Sequence, residues 1–225
     1  MKWEKYSGLD YLCQTADNSR SCIVMFHGYG ADANDLASLT SLFSFDQDVD
    51  WFFPQGVLQV PISPMMSGRA WFEIRVGDLD PLVKGEVPDL PLDPQTLKTL
   101  QSVTDFLNHL GTLYENVMIG GFSQGGILTS HAFYRLNFSP RALVLLSSFL
   151  ISPSSFPTLP EALKVPFFQS HGQGDPVLSI KGAQKLFAKL KGLGLPGTWV
   201  DFHGGHEIPM IVISSLQKFL NQHLS

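Results

Sequence analysis

The chain has 225 residues, of which 44% are hydrophobic and 16% are charged, and its formal net charge at pH 7 is −5. This composition excludes a disordered chain, and the length suits one α/β domain with a sizeable core. Because both signs of charge are mixed along the chain without a basic stripe, we expect no nucleic-acid partner. No stretch is long and apolar enough for a signal peptide or a membrane span, so we expect a cytoplasmic protein without stable membrane insertion. The two cysteines, Cys13 and Cys22, are too few for a disulfide framework, and we expect two small buried residues on neighbouring strands.

The first half of the chain alternates apolar runs with a helical pattern. Residues 9–14 have some strand character, and residues 21–26 and 51–54 have the pattern of buried strands. Between these two strands, a helical pattern with apolar residues on one side begins near Ala31. Residues 55–94 carry many prolines and glycines, which predicts an ordered excursion over the surface.

The second half repeats the alternation more regularly. Asp93-Pro94 is typical of a capped helix start, and Gly111 is expected to end that helix. The later elements are predicted, in order, as a strand to residue 122 with a helix to about 136, a strand at 142–146, a strand at 165–170 with a helix at 180–190, and a strand at 198–202 with a closing helix at 209–223. Strands that alternate with helices predict an α/β fold with a mainly parallel sheet. No repeat or linker interrupts the pattern, so residues 1–225 are predicted to form a single domain.

A glycine-rich turn around Ser123 follows one of these strands. Gly121-Phe122-Ser123-Gln124-Gly125 matches the G-x-S-x-G nucleophile elbow, in which a strand turns sharply into a helix. The corner residue takes a strained backbone conformation, and close approach of strand and helix requires small neighbours on either side. The same five letters also fit a glycine-rich turn with an incidental serine. Because the strand–turn–helix context is present, we predict that Ser123 is a nucleophile.

Two other strand ends supply residue types that could activate a serine. Ser123, Asp175 and His206 occur in the chain order of the α/β-hydrolase triad. The carboxyl ends of parallel strands meet at one edge of a sheet, so the three side chains can come together. A serine hydroxyl needs an imidazole to remove its proton, and a carboxylate holds that imidazole in the correct tautomer. We therefore predict a catalytic triad.

Each of these residues also has a structural alternative. Asp175-Pro176 fits a helix-entry cap, and His206 fits a loop histidine that caps the last helix. His203 and His206, with His171 elsewhere, make a metal site conceivable, but no second ligand pair has zinc-like spacing. Three separate strand ends that supply the three residue types in order favour the triad, and we expect neither a metal nor a cofactor.

The glycines after the first buried strand allow two interpretations. Residues 28–33 match the G-x-G-x-x-A pattern of dinucleotide-binding folds, which requires an acidic residue after the following strand. The acids at that distance, Asp48 and Asp50, precede the strand instead. In the other interpretation, the backbone N–H groups of Tyr29 and Gln124 form a two-donor oxyanion hole. The position of the acids favours the oxyanion hole.

These motifs together resemble the phospholipase/carboxylesterase family of α/β-hydrolases, which includes acyl-protein thioesterases and small bacterial carboxylesterases. The matching segments follow the family's order along nearly the whole chain: residues 26–32 (FHGYGAD), 69–74 (RAWFEI), 120–126 (GGFSQGG), 171–177 (HGQGDPV) and 205–207 (GHE). The resemblance implies an α/β-hydrolase fold without a large cap domain. It also implies catalytic roles for Ser123, Asp175 and His206, and oxyanion donors at Tyr29 and Gln124.

The resemblance further implies that the loop at residues 71–72 lines the acyl site, although Trp71 and Phe72 fit core aromatics equally well. Two positions depart from the family's pattern. Tyr29 stands where leucine is frequent, which spares the backbone donor but narrows or polarises the acyl pocket. Glu73 stands where aspartate is usual, which bears on how this loop is anchored.

We therefore expect a serine hydrolase that cleaves carboxylic esters or thioesters with apolar acyl groups through an acyl-enzyme intermediate. Its substrate is expected to be a small-molecule ester or an acylated molecule. The expected apolar wall consists of Met65, Met66, Trp71, Phe72, Phe149 and Leu178. Two alternatives stay open: a catalytically idle module that binds an apolar ligand, and a hydrolase of the same fold that acts on peptides or lactones. By analogy with the family, exposed apolar loops are compatible with a homodimer.

Overall fold

The computed structural model describes residues 1–74, 76–89, 92–156 and 164–224. Within these residues the chain forms one eight-stranded sheet and a separate two-stranded hairpin. The strands are β1 Lys2–Tyr6, β2 Leu9–Gln14, β3 Ser21–Phe26, β4 Val49–Pro54, β5 Leu58–Ser63, β6 Met66–Ala70, β7 Asn116–Phe122, β8 Ala142–Leu146, β9 Phe167–Gly172 and β10 Gly197–Phe202. The helices are α1 Ala33–Ala37, α2 Val76–Lys84, α3 Pro94–Leu113, α4 Gln124–Phe133, α5 Ile180–Gly192 and α6 Met210–Leu224.

The large sheet has the strand order β1-β2-β4-β3-β7-β8-β9-β10. The pairs β1–β2 and β2–β4 are antiparallel, and every later pair from β4 to β10 is parallel. The prediction of a mainly parallel α/β sheet is therefore confirmed. The carboxyl ends of all the parallel strands therefore lie at one edge of the sheet. Ser123, Asp175 and His206 each follow a strand at this edge.

Helices cover both faces of the sheet, and this explains the nearly continuous apolar strands. On β3, Ile23 and Met25 pack in the core layer beneath α1 and α6, while Cys22, Val24 and Phe26 pack in the layer formed with α3, α4 and α5. Side chains of a strand point alternately to the two faces, so a strand covered on both sides must be apolar at every position. Within the described residues, no helix is long and apolar enough to cross a membrane.

Helix α3 begins as predicted but ends later. The carboxylate of Asp93 accepts a hydrogen bond from the Thr96 N–H at 2.9 Å, which is the N-terminal cap that Asp93-Pro94 predicts. Gly111 does not end the helix, which continues to Leu113. A Cβ atom at Gly111 would overlap the ring of Phe138. This glycine therefore serves close packing, and the prediction of a helix end was wrong.

Two segments of the first half also differ from expectation. The helix near Ala31 is short: α1 ends at Ala37 and continues as a 3-10 helix over Ser38–Leu42. Within its described residues, the ordered excursion expected at residues 55–94 contains elements that the sequence did not predict, namely the β5–β6 hairpin and α2. The strand character of β5 is hard to recognise, since Pro61 interrupts it and most of its residues are exposed.

Both cysteines are free and buried, as expected. They do not lie on neighbouring strands, however, because β4 separates β2 from β3. Cys13 is opposite Phe52 of β4, and Phe52 is in turn opposite Val24 of β3.

Candidate active site

Ser123 occupies the corner between β7 and α4 with φ 55° and ψ −119°. A residue with a Cβ atom rarely adopts this conformation. The glycines two positions away permit the turn, because a Cβ atom at Gly121 would overlap the backbone of Gly125, and one at Gly125 would overlap the carbonyl oxygen of Phe26. The Ser123 N–H donates to the carbonyl oxygen of Leu146 on β8 at 2.8 Å. Contacts with β3 and β8, the strands on either side of β7, thus hold the corner in place.

The structure brings the three predicted catalytic side chains together. The Nε2 atom of His206 lies 2.8 Å from the Oγ of Ser123, and its Nδ1 atom lies 2.6 Å from an Oδ2 oxygen of Asp175. A carboxylate accepts hydrogen bonds only, so Nδ1 carries the proton and donates to Asp175. The lone pair of Nε2 then accepts the hydroxyl proton of Ser123, which is the arrangement that general-base catalysis requires.

Asp175 is held in place by its own loop. Its Oδ1 oxygen accepts hydrogen bonds from the backbone N–H groups of Val177 at 2.8 Å and Leu178 at 2.9 Å. Burial alone would raise the pKa of Asp175, but the hydrogen bond from His206 and those two N–H groups outweigh it and bring the pKa below its ordinary value. The carboxylate is therefore ionised when it faces His206.

A second histidine, His171, also contacts Asp175, and the sequence did not predict this contact. The Nε2–H of His171 donates to the carbonyl oxygen of Leu178 at 2.7 Å, and the same atom lies 3.3 Å from Oδ2 of Asp175. Burial lowers the pKa of His171, which keeps the ring neutral. The signal available in the sequence was its place at the end of a predicted strand, four residues before Asp175.

The two proposed oxyanion donors lie beside the elbow. Gln124 is the first residue of α4, and the loop with Tyr29 follows β3, which pairs with β7. A Cβ atom at Gly28 would touch Phe122 and the Cβ of Ser123 at 3.3 Å, so this loop runs directly against the corner. In the described part of the chain, neither the Tyr29 N–H nor the Gln124 N–H has a hydrogen-bond partner. Among the described residues, both N–H groups are therefore left without an internal acceptor.

Three residues of the expected apolar wall belong to one small buried cluster. Phe149 and Leu178 pack with Leu82, Ile127 and Ile151, and the partly buried Phe72 packs against them. Ile127 lies on α4, one helical turn after Ser123, and Leu178 follows Asp175. The cluster therefore lies close to the triad.

The other three residues do not share this environment. Met65 and Met66, at the tip of the β5–β6 hairpin, are 96% and 65% exposed. Their exposure corrects the expectation that they form part of an apolar wall. Trp71 is completely buried in the main core, against Phe26. Its large apolar ring is used for packing between the hairpin and β3, so it is a core aromatic.

The dinucleotide and metal-site interpretations find no support in the described residues. Asp50 lies near the amino end of β4, at the edge opposite Ser123, where its carboxylate accepts a hydrogen bond from the hydroxyl of Tyr114. It is therefore misplaced for the ribose of a dinucleotide. Within the described ranges, no group of three or more histidine, cysteine or acidic side chains is arranged to hold a metal ion.

Two known proteins are similar to this chain over most of its length. Acyl-protein thioesterase 1 of Gibberella zeae is 26% identical over 224 residues, which cover 93% of each chain. Carboxylesterase SOBER1 of Arabidopsis thaliana is 28% identical over 221 residues and 92% of each chain.

Solved structures agree in fold. Esterase PE8 superposes with a TM-score of 0.77 at 23% identity, covering 96% of this chain and 99% of that one. Arabidopsis thaliana SOBER1 superposes with a TM-score of 0.70 at 23% identity, covering 92% of this chain and 100% of that one. The model of the phospholipase/carboxylesterase family matches residues 11–224. The resemblance seen in the motifs is thereby confirmed, and the chain belongs to the phospholipase/carboxylesterase family, whose members are α/β-fold serine hydrolases.

Proposed function

We propose that the protein cleaves carboxylic esters or thioesters with apolar acyl groups, with Ser123 as nucleophile, His206 as general base and Asp175 as the carboxylate that orients it. The observation that carries the proposal is the hydrogen-bonded chain from Ser123 through His206 to Asp175, with distances of 2.8 and 2.6 Å. The names of the relatives, a thioesterase and a carboxylesterase, support this substrate class.

In the acylation half of the reaction, Oγ of Ser123 attacks the substrate carbonyl carbon while Nε2 of His206 takes the hydroxyl proton. The carbonyl oxygen becomes an oxyanion, which accepts hydrogen bonds from the N–H groups of Tyr29 and Gln124. Asp175 stabilises the imidazolium that forms. When the tetrahedral intermediate collapses, His206 gives its proton to the leaving alcohol or thiol, and the acyl group stays on Ser123.

In the deacylation half, water takes the place of the leaving group. His206 removes a proton from the water, the hydroxide attacks the acyl carbon, and the same two N–H groups stabilise the second oxyanion. Collapse releases the carboxylic acid and returns the proton from His206 to Ser123. The cycle requires no group besides those of the chain, the substrate and water.

The acyl group is proposed to lie against the buried cluster that contains Phe72, Phe149 and Leu178. Support comes from the position of this cluster, which includes Ile127 on the helix that starts at Ser123. An apolar acyl chain gains roughly 0.8 kcal/mol for each methylene that it removes from water. Apolar substrates should therefore be preferred over acetate esters.

The proposal is tested by hydrolysis of p-nitrophenyl butyrate with the variants Ser123→Ala and Asp175→Asn. We expect Ser123→Ala to lose at least about 10³-fold in kcat, because the nucleophile is absent. Asp175→Asn should lose about 10³-fold to 10⁴-fold in kcat with little change in KM, since an amide favours the wrong imidazole tautomer.

Two matched substitutions serve as controls. Ser130→Ala changes a buried serine of α4 whose hydroxyl donates only within the helix, to Ile127. Asp105→Asn changes an acid of α3 that accepts a hydrogen bond from Gln101. Both should keep kcat within about twofold of wild type. Undiminished turnover by Ser123→Ala would remove the proposed function.

Two further expectations concern the whole protein. A cytoplasmic location and a homodimer both stay predictions, which cell fractionation and sedimentation respectively would test.

A further inference from the structure

The two N–H groups proposed to form the oxyanion hole are far apart in sequence, one on the loop after β3 and the other at the start of α4. One segment binds both of these regions. We call residues 69–72 the strap; it comprises the end of β6 and the turn that follows. At its beginning, the Arg69 N–H donates to the carbonyl oxygen of Ala31 at 2.8 Å, and the Gly30 N–H donates to the carbonyl oxygen of Arg69 at 2.8 Å. The strap is thus paired with the loop that carries Tyr29.

The other end of the strap holds the residue after the nucleophile. The Trp71 N–H donates to Oε1 of Gln124 at 2.9 Å, and Nε2–H of Gln124 donates to the carbonyl oxygen of Phe72 at 2.7 Å. The side chain of Gln124 is completely buried. Both polar ends of its amide are therefore used to bind the strap, while its backbone N–H is left for the substrate.

The indole of Trp71 completes the connection. Its Nε1–H donates to the carbonyl oxygen of His27 at 2.9 Å, and its ring lies edge-on to Phe26 with centroids 5.2 Å apart. His27 is two residues before Tyr29, and its Nε2 accepts the Gly56 N–H at 2.9 Å. Trp71 is consequently the residue whose backbone N–H binds the side chain of Gln124 and whose indole binds the loop that carries Tyr29.

We propose that Trp71 and the side chain of Gln124 are positioning residues that fix the separation of the two oxyanion donors. This inference deepens the proposed function and rests on it. Donors stabilise a developing charge most when they are already aimed at its position, because no reorganisation is then needed during the reaction. A displacement of about 1 Å at such a site can cost about 10²-fold in rate. A strap bound to both regions prevents the loop after β3 and the start of α4 from moving independently.

The test uses Trp71→Phe, which keeps an aromatic ring in the core and removes the indole N–H. Trp51→Phe is the matched control. Trp51 is also buried and packs against Phe43 and Phe53 beneath the other face of the sheet. Unlike the indole of Trp71, its indole N–H has no hydrogen-bond partner among the described residues. Both variants are compared for thermal unfolding, hydrolysis of p-nitrophenyl butyrate, and inhibition by an aliphatic trifluoromethyl ketone, whose adduct with the serine carries an oxyanion.

For Trp71→Phe we expect kcat to fall about 10-fold to 100-fold with KM within about threefold of wild type. The inhibition constant of the ketone should rise by the same factor by which kcat/KM falls, because both depend on the oxyanion. Trp51→Phe should keep kcat and the inhibition constant of the ketone within about twofold of wild type. If Trp71→Phe matches Trp51→Phe in kcat and inhibition, or loses kcat without a parallel loss in ketone affinity, the inference is overturned.

A second variant covers the case in which Trp71→Phe does not fold. Gln124→Met removes both side-chain hydrogen bonds to the strap and keeps the backbone N–H, so it should show the same paired losses. Wild-type kcat and ketone inhibition in this variant would also overturn the inference. An active Ser123→Ala enzyme would instead remove the proposed function itself, whatever the strap variants do.

Discussion

At the scale of single residues, Ser123 combines backbone strain with a hydroxyl in contact with His206. A non-glycine residue with φ 55° and ψ −119° costs on the order of 1–3 kcal/mol and persists only where its surroundings enforce it. Here the surroundings are the glycines of the elbow and the hydrogen bond to Leu146. Strain that a fold maintains at a reactive side chain is consistent with a functional site.

Leu178 tests which buried residues determine acyl preference. Its side chain belongs to the cluster near the triad, while its backbone N–H supports Asp175. Leu178→Ala keeps that N–H and opens space in the cluster. We expect the ratio of kcat/KM for the octanoate ester over the butyrate ester to rise by about 10-fold, which is the discrimination that a few methylene groups provide.

Leu186→Ala is the matched control, because Leu186 is also buried but lies on α5 and packs in the main core. Leu186→Ala should lower the unfolding midpoint without changing the ratio of kcat/KM for the two esters. Equal ratios in Leu178→Ala and wild type would show that the acyl chain binds elsewhere.

At this scale, residue identities and chain order predicted the positions of Ser123, Asp175 and His206 at one edge of the sheet. They could not predict the strap. Trp71 has no periodic pattern around it, and its hydrogen bond to His27 depends on a hairpin that folds back over the β3 loop. Contacts of this kind depend on tertiary structure and leave no local signal.

At the scale of elements, the elbow depends on close approach between a helix and a strand. A Cβ atom at Gly125 would overlap the carbonyl oxygen of Phe26, which belongs to the backbone of a central strand and cannot move aside. We expect Gly125→Ala to lower the free energy of unfolding by more than about 3 kcal/mol, or to prevent folding. Urea denaturation followed by tryptophan fluorescence measures the change.

Gly192→Ala is the control for that experiment. A Cβ atom at Gly192, the last residue of α5, meets no other atom within 4 Å. Alanine should leave stability unchanged or raise it by up to about 1 kcal/mol, since it reduces the freedom of the unfolded chain. A Gly125→Ala protein as stable as Gly192→Ala would contradict the packing described for the elbow.

The sequence predicts the elements of this fold unevenly. Strands β3, β7 and β8 are recognisable because burial on both faces selects apolar residues at every position. The β5–β6 hairpin lies outside the large sheet with much of its surface exposed, so its residues show no such pattern. The end of α3 was mispredicted because Gly111 has a packing role, which local sequence does not distinguish from a terminating one.

At the scale of the whole molecule, buried histidines make stability depend on pH. Burial lowers the pKa of His27 and of His131 to about 4, below the ordinary value of 6.5. Between these values the unfolded chain binds a proton at each histidine and the native protein does not. Stability therefore falls as the pH decreases from 6.5 to about 4, by up to about 1.4 kcal/mol per pH unit for each histidine.

His131→Gln isolates one part of this effect, since His131 packs against Phe156 away from the proposed oxyanion donors. We expect the free energy of unfolding, measured in urea at several pH values from neutral to about 4.5, to fall less steeply in this variant than in wild type. A slope in His131→Gln equal to that of wild type would contradict a neutral buried His131.

The central claim, that Ser123 is a nucleophile activated by His206, is tested most directly by mass spectrometry after reaction with a fluorophosphonate. The probe reacts with a serine only where a base removes its proton and donors receive the phosphonyl oxygen. We predict one adduct per chain, located on the peptide that contains Ser123, and no adduct at matched times in His206→Gln. An unlabelled wild-type protein, or an adduct on a different residue, would contradict the account.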